Sequence, residues 1–189
     1  MIQGIVLVAD GVEETELVSL HDVLTRTGKI NLHLVSISEQ KSIITSMGLK
    51  LLLEESIDEI EEKNFDFIAL PGGKKGVYNI SSSIRALKLI REFAASNKLI
   101  CAICAAPSIL GNLGLLKEKN YTCFPGFESN NGNNINEPVV IDNNLISARS
   151  MAYTIPFAEQ IVLHYLKEEG LSSIYSGMRG IPYPTQIKE

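Results

Sequence analysis

A strand-like run and a helix-like run meet in Lys98-Leu99-Ile100-Cys101-Ala102-Ile103-Cys104-Ala105-Ala106-Pro107. Residues 98–103 predict a buried strand, and the helix is expected to open with Ala105-Ala106-Pro107. Cys104 stands at the sharp turn between them, and such a nucleophile elbow crowds the backbone so that only small neighbours fit. The free N–H groups and partial positive charge of a helix N-terminus favour a thiolate. The turn therefore predicts a reactive sulfur at Cys104.

Strand and helix patterns alternate on both sides of this turn. Helices between buried apolar strands imply parallel crossovers, so the predicted fold is an α/β helix–sheet–helix sandwich with a mostly parallel central sheet. The predicted strands are 2–9, 31–37, two short ones within 42–53, 65–70, 98–103, 121–124, 139–141 and 145–148. The predicted helices are 14–27, 56–62, 82–97, one from 105, and a final one from about 156 to 170.

Length and composition limit the classes of function. With 189 residues the chain is expected to form a single domain over residues 1–189. A net charge of −5 argues against nucleic acid as the main partner. No apolar run approaches the length of a membrane span, and the N-terminus lacks a secretory signal pattern. Three cysteines cannot form a complete disulfide framework, so we expect a reducing, cytoplasmic location.

Unusual residues follow three of the predicted strands, and in an open parallel sheet ligands bind beyond such strand ends. The first group is Asp10-Gly11-Val12-Glu13-Glu14-Thr15-Glu16. Helix capping explains Glu13 and Glu14. Glu16, in contrast, shares the core-facing stripe of its helix, where burial should raise the pKa of its carboxyl group. Glu16 is thus either an acid–base group beside the thiol or a tolerated acid at the border of the core.

Pro71-Gly72-Gly73 follows the second of these strands. The glycines form either a plain turn or a place where backbone N–H groups approach a substrate closely. In the second case Gly72, Gly73 and the N–H of Ala105 would form an oxyanion hole.

The remaining cysteines and the histidines narrow the chemistry. Cys101 and Cys104 cannot form a disulfide along a strand, because three residues span about 10 Å there. Cys101 and Cys123 are therefore expected to be structural. The residue directly after Cys104 is Ala105 and not a histidine, and His21, His33 and His164 are expected to be packing or surface residues. A peptidase or amidotransferase, which needs a Cys–His pair, is disfavoured, and no metal site or nucleotide motif is present in the sequence.

Together, the Glu-Glu-x-Glu stretch ending at Glu16, Leu70-Pro71-Gly72-Gly73 and Ala102-Ile103-Cys104-Ala105 resemble the ThiJ/PfpI superfamily in its DJ-one branch. The resemblance runs nearly end to end. It implies a flavodoxin-like sandwich that forms a homodimer, a reactive Cys104 hydrogen-bonded by Glu16, and an Arg26 near the site or the dimer interface. It further implies cofactor-free conversion of 2-oxoaldehydes such as methylglyoxal to hydroxy acids such as lactate, repair of early glycation adducts, or peroxide sensing through a cysteine sulfinic acid.

Two departures from the family pattern affect the site. Several relatives carry a histidine immediately before the proline that matches Pro125, and this chain has Phe124 there. Relatives often have Arg-Gly-Pro-Gly farther on, where this chain has Arg149-Ser150-Met151-Ala152. The resemblance implies a cofactor-independent glyoxalase or deglycase acting on small aldehydes or glycated substrates. The alternative is a non-catalytic redox sensor that acts through the same sulfur.

Overall fold

The computed structural model describes residues 1–184 and contains a seven-stranded sheet, two two-stranded sheets and five α-helices. The strands are β1 Ile2–Val8, β2 Ile30–Ser36, β3 Ser42–Ile44, β4 Lys50–Leu52, β5 Glu55–Ser56, β6 Phe67–Leu70, β7 Leu99–Ile103, β8 Asn120–Tyr121, β9 Asn133–Asn134, β10 Val139–Asp142 and β11 Leu145–Ala148. The helices are α1 Glu14–Thr25, α2 Lys74–Ser82, α3 Ile84–Ala95, α4 Pro107–Asn112 and α5 Thr154–Arg179.

The central sheet has the order β10-β11-β7-β6-β1-β2-β5, and every pair in it is parallel except β10 with β11. This arrangement confirms the predicted mostly parallel sandwich. Within residues 1–184 no helix has the length and apolar character that crossing a membrane requires.

The sheet separates two apolar clusters, as the alternation of β1 illustrates. Ile5 and Leu7 pack in the cluster under α2, α3 and α4, whereas Val6 and Val8 pack in the cluster under α1 and α5. Successive side chains of a strand point to opposite faces, so a strand with helices on both sides is apolar throughout. All four of these side chains are fully buried.

The chain order places the site. From β1 the chain crosses through α1 to β2 on one side, and later enters β6 on the other side of β1. The strand order therefore reverses between β1 and β6, which is where open α/β sheets form a crevice at the carboxyl ends of their strands. The residues after β1, β6 and β7 meet at this edge.

The structure differs from the predicted elements at several places. The predicted helix 56–62 is two short 3-10 turns, Ile57–Glu59 and Glu62–Asn64. Helix α2 was not predicted; its Gly76 packs closely, since a Cβ there would lie 3.0 Å from backbone atoms of Val12. The helical pattern of residues 82–97 predicts Ile84 on the buried face with Ile90 and Phe93, but Ile84 is 86% exposed at the first helical position of α3, and Ala86 lies in the core. The predicted strand 121–124 is only the short β8.

The last helix extends beyond the predicted end near residue 170. Lys167 has a non-helical backbone with φ 57°, so α5 consists of two helical segments joined at a kink. Glu159 of the first segment accepts hydrogen bonds from the Arg179 guanidinium of the second, with a shortest N–O distance of 2.6 Å. This ion pair fixes the second segment against the first.

Candidate active site

Cys104 lies on a strained turn directly after β7. Its φ of 62° is in the left-handed region that non-glycine residues rarely adopt. The Cys104 N–H donates to the carbonyl of Ala148 at 2.9 Å, and its own carbonyl accepts from the N–H of Phe124 at 2.8 Å. Both neighbours therefore hold the backbone in this conformation, and helix α4 follows from Pro107. The predicted sharp turn at Cys104 is confirmed, and the Cys104 side chain is partly exposed.

Glu16 reaches this sulfur from the first turn of α1. Its side chain is fully buried, on the helix face that also carries Leu17 and Leu20, and its carboxyl group lies beside the Cys104 side chain next to Gly72. The N–H of Gly72 donates to Glu16 Oε2 at 2.5 Å, while Oε1 has no hydrogen-bond partner among the described residues. The carboxyl group is thus held at one oxygen and left free at the other.

Burial raises the pKa of Glu16 to about 7, against the opposing effects of the Gly72 and Cys104 hydrogen bonds. A carboxyl group with this pKa is present in both protonation states near neutral pH. Such a group can accept a proton and return it at the same pH. The sequence-based expectation of a raised pKa is confirmed in direction and cause.

The thiol does not follow the sequence-based expectation. Burial, and then the negative charge of Glu16, raise the pKa of Cys104 to about 12, while the N–H groups of Ala105 and Gly73 act in the opposite direction. The prediction of a thiolate set by the helix N-terminus alone is therefore wrong, because it counted neither the burial of the sulfur nor the adjacent carboxylate. Acidity at this site belongs to the pair of groups and not to the sulfur alone.

The three backbone groups predicted as oxyanion donors have two different roles. The N–H groups of Gly73 and Ala105 are close enough to the Cys104 sulfur to lower its pKa, so they favour negative charge at this position. The N–H of Gly72 is occupied by Glu16, so its assignment as an oxyanion donor is wrong. A Cβ on Gly72 would lie 2.7 Å from the Cβ of Cys104 and 2.9 Å from Glu16 Oε2, which explains the glycine by close approach.

Gly73 needs its lack of a side chain for a further reason. Its φ is 89°, and a Cβ there would lie 2.2 Å from the carbonyl oxygen of Gly11. This conformation turns the chain from β6 into α2 and aims the Gly73 N–H at the sulfur. The sequence showed the glycine pair but not this division of tasks between its members.

The remaining predicted residues lie at different distances from the sulfur. Phe124 contacts Cys104 through a backbone hydrogen bond, and Phe124 is 44% exposed. The neighbouring Pro125 is exposed as well. Arg26 caps the far end of α1 and pairs with Asp22 at 2.7 Å. It follows Glu16 by ten residues, about 15 Å along a helix. Arg26 is therefore not near the sulfur, and its role at a dimer interface stays a prediction.

On the opposite side of Cys104, the chain after β11 forms a short helical turn over residues 151–153. The Arg149 guanidinium donates to the hydroxyl of Tyr153 at 2.8 Å and to Asn136 Oδ1 at 2.6 Å. Met151 is half exposed beside them. This segment differs from the family pattern noted in the sequence, and it replaces a glycine- and proline-containing stretch with bulkier side chains.

The other cysteines and the histidines are placed as predicted for structural residues. Cys101 is fully buried within β7 and Cys123 is 3% exposed, and burial raises the pKa of both thiols. His33 is bonded to Glu55 at 2.6 Å, whereas His21 and His164 are exposed. Residues 1–184 contain no group of three or more side chains suited to a metal ion.

These features define a class: a flavodoxin-like α/β protein whose elbow cysteine is paired with a buried glutamic acid from the first helix. The match to a family is equally clear. The chain belongs to the DJ-1/PfpI family, whose sequence model matches residues 4–164.

Individual relatives agree with this assignment. The chain is 36% identical over 173 residues to "Protein DJ-1 homolog B" of Arabidopsis thaliana, covering 89% of this chain but only 39% of that protein's length. A protein of Pyrococcus horikoshii named as a deglycase is 27% identical over 149 residues, covering 76% of this chain and 87% of that protein. The crystal structure of Drosophila melanogaster DJ-1beta superposes with a TM-score of 0.90 at 28% identity, covering 96% of this chain and 99% of that one.

Proposed function

We propose that this protein is a cofactor-independent glyoxalase or deglycase that converts 2-oxoaldehydes such as methylglyoxal to 2-hydroxy acids. The observation that carries the proposal is that the Cys104 sulfur and Glu16 Oε2 lie within 3.2 Å of the position that a Cβ on Gly72 would take. The N–H groups of Gly73 and Ala105 are close enough to the same sulfur to lower its pKa. A nucleophile, a base and two oxyanion donors are thereby grouped around one point. The relative named as a deglycase supports this class of activity.

The first step is proton transfer from the Cys104 thiol to the Glu16 carboxylate. The free pair of electrons on sulfur then forms a bond to the aldehyde carbon, and the carbonyl oxygen becomes an oxyanion. The N–H groups of Gly73 and Ala105 bind that oxygen, which takes the proton back from Glu16 to give a hemithioacetal and restores the Glu16 carboxylate. A pKa of about 7 suits Glu16 to this exchange, because the carboxylate form that must accept the proton is abundant at neutral pH.

The second half of the reaction is an internal oxidation and reduction. Glu16 removes the proton from the former aldehyde carbon, and the resulting enediol is reprotonated on the neighbouring carbon. The first carbon is oxidised to a thioester while the second is reduced to an alcohol, so no external oxidant or reductant is needed. Water then cleaves the C–S bond, releases the hydroxy acid and restores the thiol. The net change is addition of one water to methylglyoxal to give lactate.

Lactate formation from methylglyoxal by the purified protein tests this mechanism. We expect Cys104→Ala and Glu16→Gln each to abolish turnover, because one removes the nucleophile and the other the base. Cys123→Ala is the matched control, since it removes a buried thiol that has no role in the proposed reaction. Turnover close to that of the unmodified protein in the Cys104 variant would refute the mechanism.

A second candidate function is redox sensing by Cys104 without catalysis. Exposure favours selective oxidation at this sulfur, because Cys104 is partly exposed while Cys101 and Cys123 are buried. Oxidation to a sulfinic acid adds two oxygen atoms, and a protonated Glu16 would donate a hydrogen bond to the product. Mass spectrometry after mild peroxide should place both oxygens on Cys104 first. Equal oxidation of all three cysteines would count against a tuned sulfur.

We also infer a homodimer, on the strength of the family resemblance. Exposed apolar side chains on α1 and on the β3–β4 hairpin, among them Val18, Met47 and Leu52, are consistent with a covered surface in that region. Sedimentation equilibrium of the purified chain measures the mass directly. A monomer at tens of micromolar would contradict the inference.

A further inference from the structure

A small cavity lies at the amino ends of the strands, opposite the elbow. Its volume is about 210 Å³. Its apolar side is formed by Ala94, Ile100, Leu110, Leu115 and Leu145, and its polar side by Asn97, Lys119 and Asn144. Ile100, Leu110 and Leu145 are each no more than 5% exposed. The cavity is thus an apolar recess in the edge of the core, on a different part of the molecule from Cys104.

A lysine stands at the mouth of this recess without a carboxylate partner. The half-buried Lys119 donates from Nζ to Asn144 Oδ1 at 3.1 Å, and it makes no ion pair with any residue of the described chain. Asp142 forms no ion pair with Lys119, and its two oxygens accept from the Asn120 N–H and the Asn143 side chain. Two of the three ammonium protons therefore remain available to an anion seated over the recess.

Asn144 gives this lysine a fixed position. The Asn144 carbonyl accepts from the N–H of Ile100 at 2.9 Å, and its side-chain amide donates to the carbonyl of Lys98 at 3.3 Å. The amide oxygen that holds Lys119 is therefore attached to the sheet edge and not to a free loop. An ammonium group held beside an apolar wall combines the two features that recognise an amphiphilic anion.

The volume limits the size of the ligand. A cavity of roughly 150 Å³ lined by aliphatic side chains holds one benzene molecule. The recess here is larger than that, with its charge at the opening. A six-membered ring, or a branched aliphatic group of similar size, fills the apolar part and leaves a carboxylate at the lysine.

We propose that this recess binds a small aromatic or branched-chain monocarboxylate, with the apolar body between Leu110 and Leu145 and the carboxylate on Lys119. The charge complementarity with an otherwise unpaired ammonium group selects an anion over a neutral analogue. The site is separate from the elbow, so binding there does not depend on the proposed reaction at Cys104.

Benzoate and benzamide form a matched pair of probes, because they have nearly the same shape and differ in charge. Calorimetric titration of the full chain should show benzoate binding about tenfold or more tightly than benzamide, as expected for one charge-assisted hydrogen bond. Lys119→Met should reduce benzoate to the affinity of benzamide. Lys117→Met is the matched control, since that lysine is exposed on the same turn and does not line the recess.

Two further variants locate the ligand. Ala94→Leu places extra carbon atoms in the recess from α3 and should abolish binding of both probes. Cys104→Ala should leave benzoate binding unchanged. The proposal is overturned if the unmodified protein binds the two probes equally or binds neither at millimolar concentration. Loss of benzoate binding in the Cys104 variant would also overturn it, by placing the ligand at the elbow.

Discussion

Replacing Glu16 with glutamine should stabilise the protein at neutral pH while it removes the proposed activity. Folding raises the pKa of this carboxyl group from 4.5 to about 7 by burying it. The folded state therefore holds the proton more tightly than the unfolded state. The resulting stabilisation is complete below pH 4.5, falls as the pH rises toward about 7, and is absent above that. This change amounts to about 3 kcal/mol, most of it between pH 5 and pH 8.

Glutamine cannot ionise, so Glu16→Gln should not show this loss. Its carbonyl oxygen can still accept from the Gly72 N–H, which at present donates to Oε2. Urea unfolding of both proteins from pH 5 to pH 8 measures the effect, and the upper limit avoids titration of the thiol. With an m-value of about 2 kcal/mol/M, the midpoint difference between the two proteins should change by about 1 M over this range.

The exposed Glu39 supplies the control, because Glu39→Gln removes a carboxylate that is already in solvent. That variant should follow the unmodified protein at every pH. The argument fails if the stability difference between Glu16→Gln and the unmodified protein stays constant with pH within about 0.5 kcal/mol. It also fails if the glutamine variant becomes relatively less stable as the pH rises.

Three other experiments test the packing at Gly72, the ionisation of Cys104 and the ion pair of α5. Gly72→Ala should lower the free energy of unfolding by about 1–3 kcal/mol and remove most of the activity, because the new Cβ overlaps Cys104 and Glu16. Gly177→Ala is its control: a Cβ there has no atom within 4 Å, so the variant should stabilise α5 by about 0.5–1 kcal/mol. Both follow from urea midpoints, and a harmless Gly72 variant would show that the crevice is looser than described. Alkylation of Cys104 by iodoacetamide should rise with pH up to about 7, where Glu16 ionises, level off, and rise again only above about pH 10. A single rise with no step near pH 7 would mean that the sulfur ionises without help from Glu16. Arg179→Met should lower the free energy of unfolding by about 1–3 kcal/mol, because it leaves the Glu159 carboxylate unpaired. Adding Glu159→Gln should recover part of that loss. An unchanged urea midpoint in the Arg179 variant would show that the ion pair contributes nothing.

Hydrophobic patterning was sufficient to predict the sheet and most helices, because strands buried on both faces are continuous apolar runs. The β1 run Ile2–Val8 is an example, and so is the strand Leu99–Ile103. Hydrophobic patterning fails where contacts between distant segments determine the secondary structure. Helix α2 contains Gly76 because the loop after β1 passes against it, and a single sequence does not reveal that contact. The kink of α5 at Lys167 was not predictable from the sequence, because no proline or glycine stands at that position.

The site was predictable in its members but not in its electrostatics. Helical periodicity placed Glu16 on the buried face, and the small residues around Cys104 indicated the elbow. Which N–H group serves which side chain depends on the φ of Gly73 and on the distance from Gly72 to Glu16, and neither follows from spacing along the chain. The same applies to the thiol, whose burial and carboxylate neighbour outweigh the N–H groups that favour its charge.

A raised pKa on both groups is compatible with a reactive sulfur, because proton transfer within the pair leaves the net charge of the crevice unchanged. Burial penalises a thiolate and a carboxylate alike, so most of that penalty cancels when the proton moves from Cys104 to Glu16. The hydrogen bonds that favour each anion then decide the balance. The sulfur faces two N–H groups, from Gly73 and Ala105, whereas the carboxylate accepts one from Gly72 and has an oxygen without a partner. A carboxyl proton on that oxygen turns an acceptor without a partner into a donor that a thiolate could accept from. The reactivity of the sulfur therefore depends on where the pair holds one shared proton, and not on the sulfur being a strong acid.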